Sequence, residues 1–462
     1  MAGVAQNSGK REWNIKAESR KRIAIAIPGL QLTAYSIQRR AFRMSKKEVS
    51  IIGGGASGMM AAIAAARGGA KVRLWEKDHS LGRKLLATGN GRCNFTNSDL
   101  APLHFHTPVP ATAGMVLPQF TLEQTLDFFQ SLGIEYYCDA RGRYFPKSNE
   151  APSVLFALTR EMETLGIEVN LHAEIVGVKK NKAGFLLHQR GESHQAQAVI
   201  LTCGGAAAPQ LGGGEGGYLL AGQLGHNITP LRPALASLEL EGNWYHKLQG
   251  IRLDMDLTVF EGPKKILQLT DEGLFTKFGL SGPLALKSSR ILGEGSKQCF
   301  LSFVPGQTGP EMSTVLAKRS KNISYRSTQE FFTGLLPQKI GQMLIRESRI
   351  DPEKDTSRLT ETEIKKLASN LTAWPVKVKA VRPFKEAQVT VGGVDLHEVI
   401  PGTLGSKKVP GLYFAGEMLD VDGDTGGYNL QWAWSSGWVA GKNAAAGTVR
   451  ANSTPGSPSL EK

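Results

Sequence analysis

The stretch from Glu48 to Glu76 limits what this chain can become more than any other. A short apolar strand, Val49 to Ile52, runs into Gly53-x-Gly55-x-x-Gly58. An Ala-rich helix over Ala56–Arg67 follows, then a second strand over Lys71–Glu76. Glycines in such a turn let the backbone approach a diphosphate, and the helix start adds free N–H groups and roughly half a positive charge. Glu76 stands 18 residues beyond Gly58. That is close to the ~20-residue offset at which an acid accepts hydrogen bonds from both ribose hydroxyls. A carboxylate there also repels a 2′-phosphate. Strand, turn, helix and acid in register predict a doubly wound α/β fold with a dinucleotide site.

With 462 residues the chain is long enough for two or three domains with their own cores. It contains no run of ~18 apolar residues, so no membrane-spanning helix is expected. The cysteines (Cys93, Cys138, Cys203 and Cys299) are scattered without a C-x-x-C pair. This argues against a disulfide framework, a zinc site and a dithiol reductase, and suits a reducing, cytoplasmic setting. The net charge of +14 suggests nucleic acid at first sight, but residues 1–43 hold nine Lys/Arg against two Glu, half of the excess. The remainder has no basic stretch interleaved with aromatics, which disfavours a nucleic-acid partner.

Residues 1–43 form a basic leader ahead of Met44-Ser-Lys-Lys-Glu. Two readings stay open: a transit-like presequence, or sequence upstream of the true start. The second is favoured because the first strand begins almost at once after Met44. Residues 449–462 are Ser/Pro-rich and read as a disordered tail. Residues 44–232 make the first part of the nucleotide-binding domain. A helix is expected from Thr121 to Gly133, a hairpin around Arg143–Pro146 and a helix over Ala151–Leu165. Strands are expected over Glu168–Val178, Gly184–Gln189 and Gln195–Thr202. Residues 233–380 change character: Arg252–Phe260 alternates with period two, predicting a small barrel or sandwich. Helical stretches follow at Gly309–Lys318, Gln338–Ser348 and Glu361–Thr372, so this segment reads as an inserted domain. Residues 381–448 return to the first domain with strands at Gln388–Val394 and Gly411–Ala415 and an Ala-rich helix after Gln431.

A plain nicotinamide dehydrogenase completes its nucleotide site in one continuous block. Here a second Gly-rich, strand-to-helix junction arrives far downstream: Gly411-Leu-Tyr-Phe-Ala-Gly-Glu, then Asp420-Val-Asp-Gly-Asp-Thr-Gly-Gly-Tyr-Asn-Leu-Gln-Trp. Gly416, Glu417 and Gly426-Gly427 offer unpaired N–H groups that could meet a ribityl chain or the N1/C2=O edge of a flavin.

These motifs resemble the BaiN/RdsA family of FAD-dependent oxidoreductases, the YhiN-like flavoproteins. So do Gly82-Arg-Lys-Leu-Leu-Ala-Thr-Gly-Asn-Gly-Arg-Cys-Asn, Gly273-Leu-Phe-Thr-Lys-Phe-Gly-Leu-Ser-Gly-Pro and Thr390-Val-Gly-Gly-Val. The resemblance spans about residues 48–446. It implies a discontinuous, Rossmann-like FAD-binding domain of the glutathione-reductase type, interrupted by a β-barrel plus helices. FAD would lie extended between Gly53–Gly58 and Gly426–Leu430. The implied activity is hydride transfer between the flavin and a small organic substrate, with the electron partner left open between NAD(P)H, as a transient reductant, and oxygen. A flavin-dependent RNA-modifying protein and a non-catalytic FAD-binding protein remain as alternatives.

Carried over by position, the resemblance assigns Gly53, Gly55, Ser57 and Gly58 to the diphosphate and Glu76 to the adenosine ribose. Lys77, Arg83, Lys84 and Thr88 would flank the phosphates and ribityl chain, and the Val176 backbone would meet the adenine. Gly416, Glu417, Gly427, Asn429 and Leu430 would reach the flavin, with Asn90 to Asn94 beside it. Lys277 stands where family members commonly carry His.

Other features have plainer readings. Gly212-x-Gly214-x-x-Gly217 repeats the glycine pattern but does not directly follow a strand. Cys93 reads as a small buried residue, and His226 as a cationic residue at a helix C-terminus. Trp432, Trp434 and Trp438 read as a packed helix face. His104 and His106 sit in a loop with no third metal ligand, so no metal site is assigned, nor any catalytic acid or base.

Overall fold

The computed structural model describes residues 46–446 apart from 294 and 296. The leader and the tail lie outside the described residues. Five strands form the parallel sheet: β1 (Glu48–Ile52), β2 (Lys71–Trp75), β3 (Glu168–Asn170), β4 (Ala198–Leu201) and β5 (Leu412–Phe414), in the order β5-β4-β1-β2-β3. Val49, Ile51, Val199, Ile200, Leu412 and Phe414 are all buried. Near-continuous apolar strands are what a sheet covered on both faces requires.

Two helices lie against each other beside this sheet, α1 (Ala56–Arg67) and α2 (Tyr428–Ala446). They approach backbone to backbone. A Cβ on Gly437 would collide with the Ser57 carbonyl oxygen, and one on Gly441 with that of Ala61. The Ala-rich sequence of α1 thus reflects a crossing too tight for larger side chains.

The long strand expected over Glu168–Val178 is two. β3 ends at Asn170, His172 takes a positive φ of 53°, and the Ala173 N–H bonds the Glu76 carbonyl. The chain then leaves the parallel sheet and starts a three-stranded antiparallel sheet of Ile175–Asn181, Gly184–Gln189 and Glu192–Ala196. Gln195–Thr202 likewise divides, because Gln197 turns its N–H to Glu48 and separates Ala196 from β4. Apolar periodicity does not mark where a strand changes sheet.

A second core is built on an antiparallel ladder of seven strands. Its two outer strands, Trp374–Val376 and Val378–Val381, are separated in sequence by Lys377 alone. The two edges of the ladder therefore meet at Lys377, bending the sheet into a barrel-like shape with no pairing between the outer strands among the described residues. Met255, Leu257 and Val259, the alternate residues of Arg252–Glu261, are buried in this core. Helices Gly309–Asn322, Gln338–Glu347 and Glu361–Thr372 contribute Leu316, Leu344 and Leu367 to it. The first and last open with capping boxes, Thr308 with Glu311 and Thr360 with Glu363. Among the described residues no helix is long and apolar enough to cross a membrane.

Candidate functional site

The glycines of the first turn divide their work. Gly53 ends β1 by donating to the Trp75 carbonyl at 2.8 Å. A Cβ on Gly58 would collide with the Gly53 carbonyl oxygen, so Gly58 serves the close packing of the turn. Gly55 differs: it caps α1, and an added Cβ there meets nothing within 4 Å. The turn keeps open space where a diphosphate would sit.

Glu76 follows β2, its Oε2 accepting from the Gly54 N–H at 2.7 Å and its Oε1 from the Asp78 N–H at 2.9 Å. A carboxylate offers about four lone-pair sites, so capacity for ribose hydroxyls remains. Lys77 is exposed beside it. Arg83 is committed elsewhere, 2.7 Å from Asp78 and donating to the Gln210 carbonyl.

The second segment closes on the first. Lys84 Nζ donates to Glu417 Oε2 at 2.6 Å, while Glu417 Oε1 accepts from the Thr390 N–H at 3.0 Å. Ser57 is buried against Gly416, where a Cβ would collide with the Ser57 hydroxyl. The Gly416 N–H donates to Ser436 Oγ. Gly427, at φ 106°, has no room for a Cβ against the Thr96 carbonyl. Beside it, Asn94 Oδ1 is buried without a hydrogen-bond partner. An orphaned acceptor and the open corner at Gly55 both fit a ligand lying along this seam.

Not every expected residue points there. Thr88 donates its hydroxyl to the Leu85 carbonyl. Val176 is the bulged residue between Ile175 and Gly177, with an exposed side chain and a carbonyl only loosely held by Gln223 at 3.5 Å. The Asn429 amide is spent on the preceding turn, accepting from the Gly423 N–H and donating to its carbonyl, both at 2.8 Å. Only its backbone is left for a flavin. Leu430 is half-buried at the start of α2.

His226 does not act as a charged helix terminus: it is buried, 2.8 Å from Ser406 Oγ, and burial pulls its pKa below the ordinary value despite nearby Glu398. Cys93 is fully buried, and burial pushes its thiol up to about 12. Trp432 and Trp434 are buried with their indole N–H groups on the Gly416 and Phe95 carbonyls, and Trp438 stacks on Phe120, so all three pack. In the second glycine run, Gly213 lies too close to the Ala207 carbonyl for a side chain.

The fold joins His104 and His106 to Asp422, Asp424 and Arg290 in one polar cluster, a meeting that local spacing does not disclose. The spacing Asp420-x-Asp422-x-Asp424 was visible, but its partners lie up to 320 positions away.

The family model described as HI0933-like protein Rossmann domain matches residues 47–443. The chain belongs to that family. The motif resemblance holds with it, and this HI0933-like chain is an FAD-dependent oxidoreductase. It is 36% identical over 405 residues to a 3-dehydro-bile acid delta(4,6)-reductase of Clostridium scindens, covering 86% of this chain and 98% of the relative. It is 31% identical over 408 residues to a ribosomal RNA dihydrouridine synthase of Escherichia coli, covering 87% and 99%. Among solved structures it is similar to a 3-ketosteroid-delta4-(5alpha)-dehydrogenase of Rhodococcus jostii, at 14% identity and TM-score 0.42, covering 88% of this chain and 99% of that one.

Proposed function

We propose that this flavoenzyme reduces a carbon–carbon double bond conjugated with a carbonyl in an organic substrate, with a reduced nicotinamide dinucleotide as electron donor. The observation that carries the cofactor half of this reading is the closure of two remote segments on one seam, at Lys84–Glu417 and Asn94–Gly427. The bond type is supported by the relatives' names, which describe saturation of a double bond in a bile acid and in a uridine. When bound, FAD supplies the hydride at N5.

The chain's own residues then bind and orient. N–H groups from Gly55 onward, at the start of α1, would hold the diphosphate, since those of Gly53 and Gly54 are taken by the Trp75 carbonyl and Glu76. Glu76 would take the ribose hydroxyls, Lys77 would add positive charge along the seam, Lys84 would fix the second segment through its ion pair with Glu417, and the Val176 bulge would offer backbone to the adenine. N–H groups at Gly427–Leu430 would donate to the flavin edge where negative charge gathers on reduction. Residues 44–232 and 381–448 hold the cofactor, and 233–380 shape the substrate space in a cytoplasmic enzyme. The test is purification, an absorbance spectrum and anaerobic titration with NADH and NADPH. A colourless protein that FAD cannot reconstitute overturns the reading.

A second reading, an RNA substrate, is favoured by a groove of about 690 Å³ on the barrel unit, lined by His246, Lys247, Lys339, Gln342 and Arg346 without a carboxylate. Binding of a uridine-containing RNA that weakens steeply with salt supports it; absence of such binding removes it.

A further inference from the structure

Just ahead of α2 the chain folds an acidic turn against a loop from its first part. Asp422 and Gly423 pair antiparallel with His106 and Phe105. Asp424 divides its carboxylate between two imidazoles, Oδ1 at 2.8 Å from His106 Nε2 and Oδ2 at 2.9 Å from His104 Nδ1. The other ring nitrogen of His104 lies 3.1 Å from Asp99, and its ring stacks on Tyr428 with centroids 4.5 Å apart. Asp422 is buried, held by Arg290 from helix Gly282–Leu292 of the barrel unit at 2.9 and 3.1 Å.

The two histidines are not equivalent. His104 has a carboxylate at each nitrogen and is held as a two-donor cation. Burial pulls its pKa down, but the hydrogen bonds to Asp424 and Asp99 outweigh this and the net shift is upward. His106 is engaged only at Nε2; its Nδ1 makes no hydrogen bond among the described residues, and its side chain is 32% exposed. A carboxylate on one nitrogen fixes the tautomer and leaves the other as a proton-exchanging atom.

A purely structural ion-pair cluster is the plainer account. It explains the burial of Asp422 but not an imidazole oriented by a carboxylate with its far nitrogen open. The position adds weight: Asp424 is joined through Gly426 and Gly427 to the start of α2, and Asn429 spends its amide on this same turn. The cluster thus adjoins the candidate flavin end, where the barrel unit reaches it through Arg290.

Resting on the proposed double-bond reduction, we infer that His106 is the catalytic residue that delivers the substrate proton. Asp424 positions it, and His104 with Asp99 leads from it to solvent. Beyond the hydride already assigned, saturation needs one proton at the carbon next to the carbonyl. It leaves Nδ1 of the His106 imidazolium, the new C–H bond forms from the enolate electron pair as the carbonyl is restored, and neutral imidazole remains. Water reprotonates it.

The test uses the holoprotein with cyclohex-2-enone, a 3-oxo-4,6-diene steroid and a uridine-containing RNA as acceptors for the chemically reduced flavin. In His106→Gln, anaerobic reoxidation by an acceptor the wild type uses is expected to slow at least about 100-fold and lose its pH dependence. In His106→Gly, added imidazole should restore it, a rescue that a packing role would not give. Independently of the cofactor, nitrogen-15 NMR of the apoprotein, followed as pH is raised, should show the neutral form of His106 carrying its proton at Nε2, toward Asp424, with Nδ1 bare. A wild type inert towards every acceptor overturns the double-bond reading and this inference together. An active wild type with an equally fast His106→Gln, or the opposite tautomer, overturns the inference alone.

Discussion

Lys84 and Glu417 meet at 2.6 Å across 333 positions of sequence. The pair ties the short helix Arg83–Ala87, downstream of β2, to the turn Gly416–Met418 after β5, the two segments between which the cofactor is proposed to lie. Both side chains are partly exposed, at 31% and 20%. A double-mutant cycle with Lys84→Met and Glu417→Gln should therefore give a coupling of only about 1 kcal/mol, shrinking in high salt. Chemical denaturation at two salt concentrations measures it.

Two glycines of one turn should fail differently. Gly55→Val points into open space, so the variant should emerge without flavin yet keep the melting temperature of the wild-type apoprotein. Gly58→Ala drives a Cβ into the Gly53 carbonyl and should cost about 1–3 kcal/mol of stability. The ratio of flavin to protein absorbance, with a melting curve, separates them.

Glu76→Ala strands the Gly54 and Asp78 N–H groups. Both stability and flavin affinity should fall, each by roughly 1–3 kcal/mol. Equilibrium flavin release followed by fluorescence checks the second.

Asp422 carries a pH signature. Burial raises its carboxyl to about 6 from an ordinary 3.8, against the opposing pull of Arg290 and His106, while Asp420 adds to the rise. Between those values the native state holds the proton more tightly than the unfolded chain. The resulting stability is full below the lower value and is lost as pH rises through the upper one, by roughly 3 kcal/mol at most. Asp422→Asn lacks this dependence. Urea unfolding of both proteins from pH 4 to 8 should show the wild type losing ground to the variant.

Thiol chemistry should single out one position. Cys93 and Cys203 are pushed up to about 12 and Cys299 to about 11, chiefly by burial, whereas Cys138 is exposed. Iodoacetamide at pH 8 should give one adduct, at Cys138, by peptide mass spectrometry.

What could be read from sequence was local. The helix expected over Ala56–Arg67 has those limits in the structure, because glycines mark its start and small apolar residues fill its buried face. Gln338–Ser348 was likewise visible from spacing and ends at Glu347. The departures are all non-local. Glu168–Val178 breaks because the Ala173 N–H bonds a carbonyl nearly a hundred residues earlier. Asn429 looked available until the turn at Gly423 claimed its amide. His226 looked cationic until Ser406 and Phe414 enclosed it. The Asp424–His106 contact joins loops whose local patterns carry no sign of each other, so only the fold could reveal it.

The tight crossing of α1 and α2 has a consequence for biosynthesis. The Gly53–Gly58 turn emerges from the ribosome early, yet the helix packed on α1, through Gly437 and Gly441, is among the last described parts to be made. The nascent amino-terminal half must wait with an apolar helix face uncovered while the intervening segment, with its separate apolar core, is translated. The seam between the two segments can therefore close only late in the synthesis of each molecule, and truncation within α2 should leave the buried face of α1 bare.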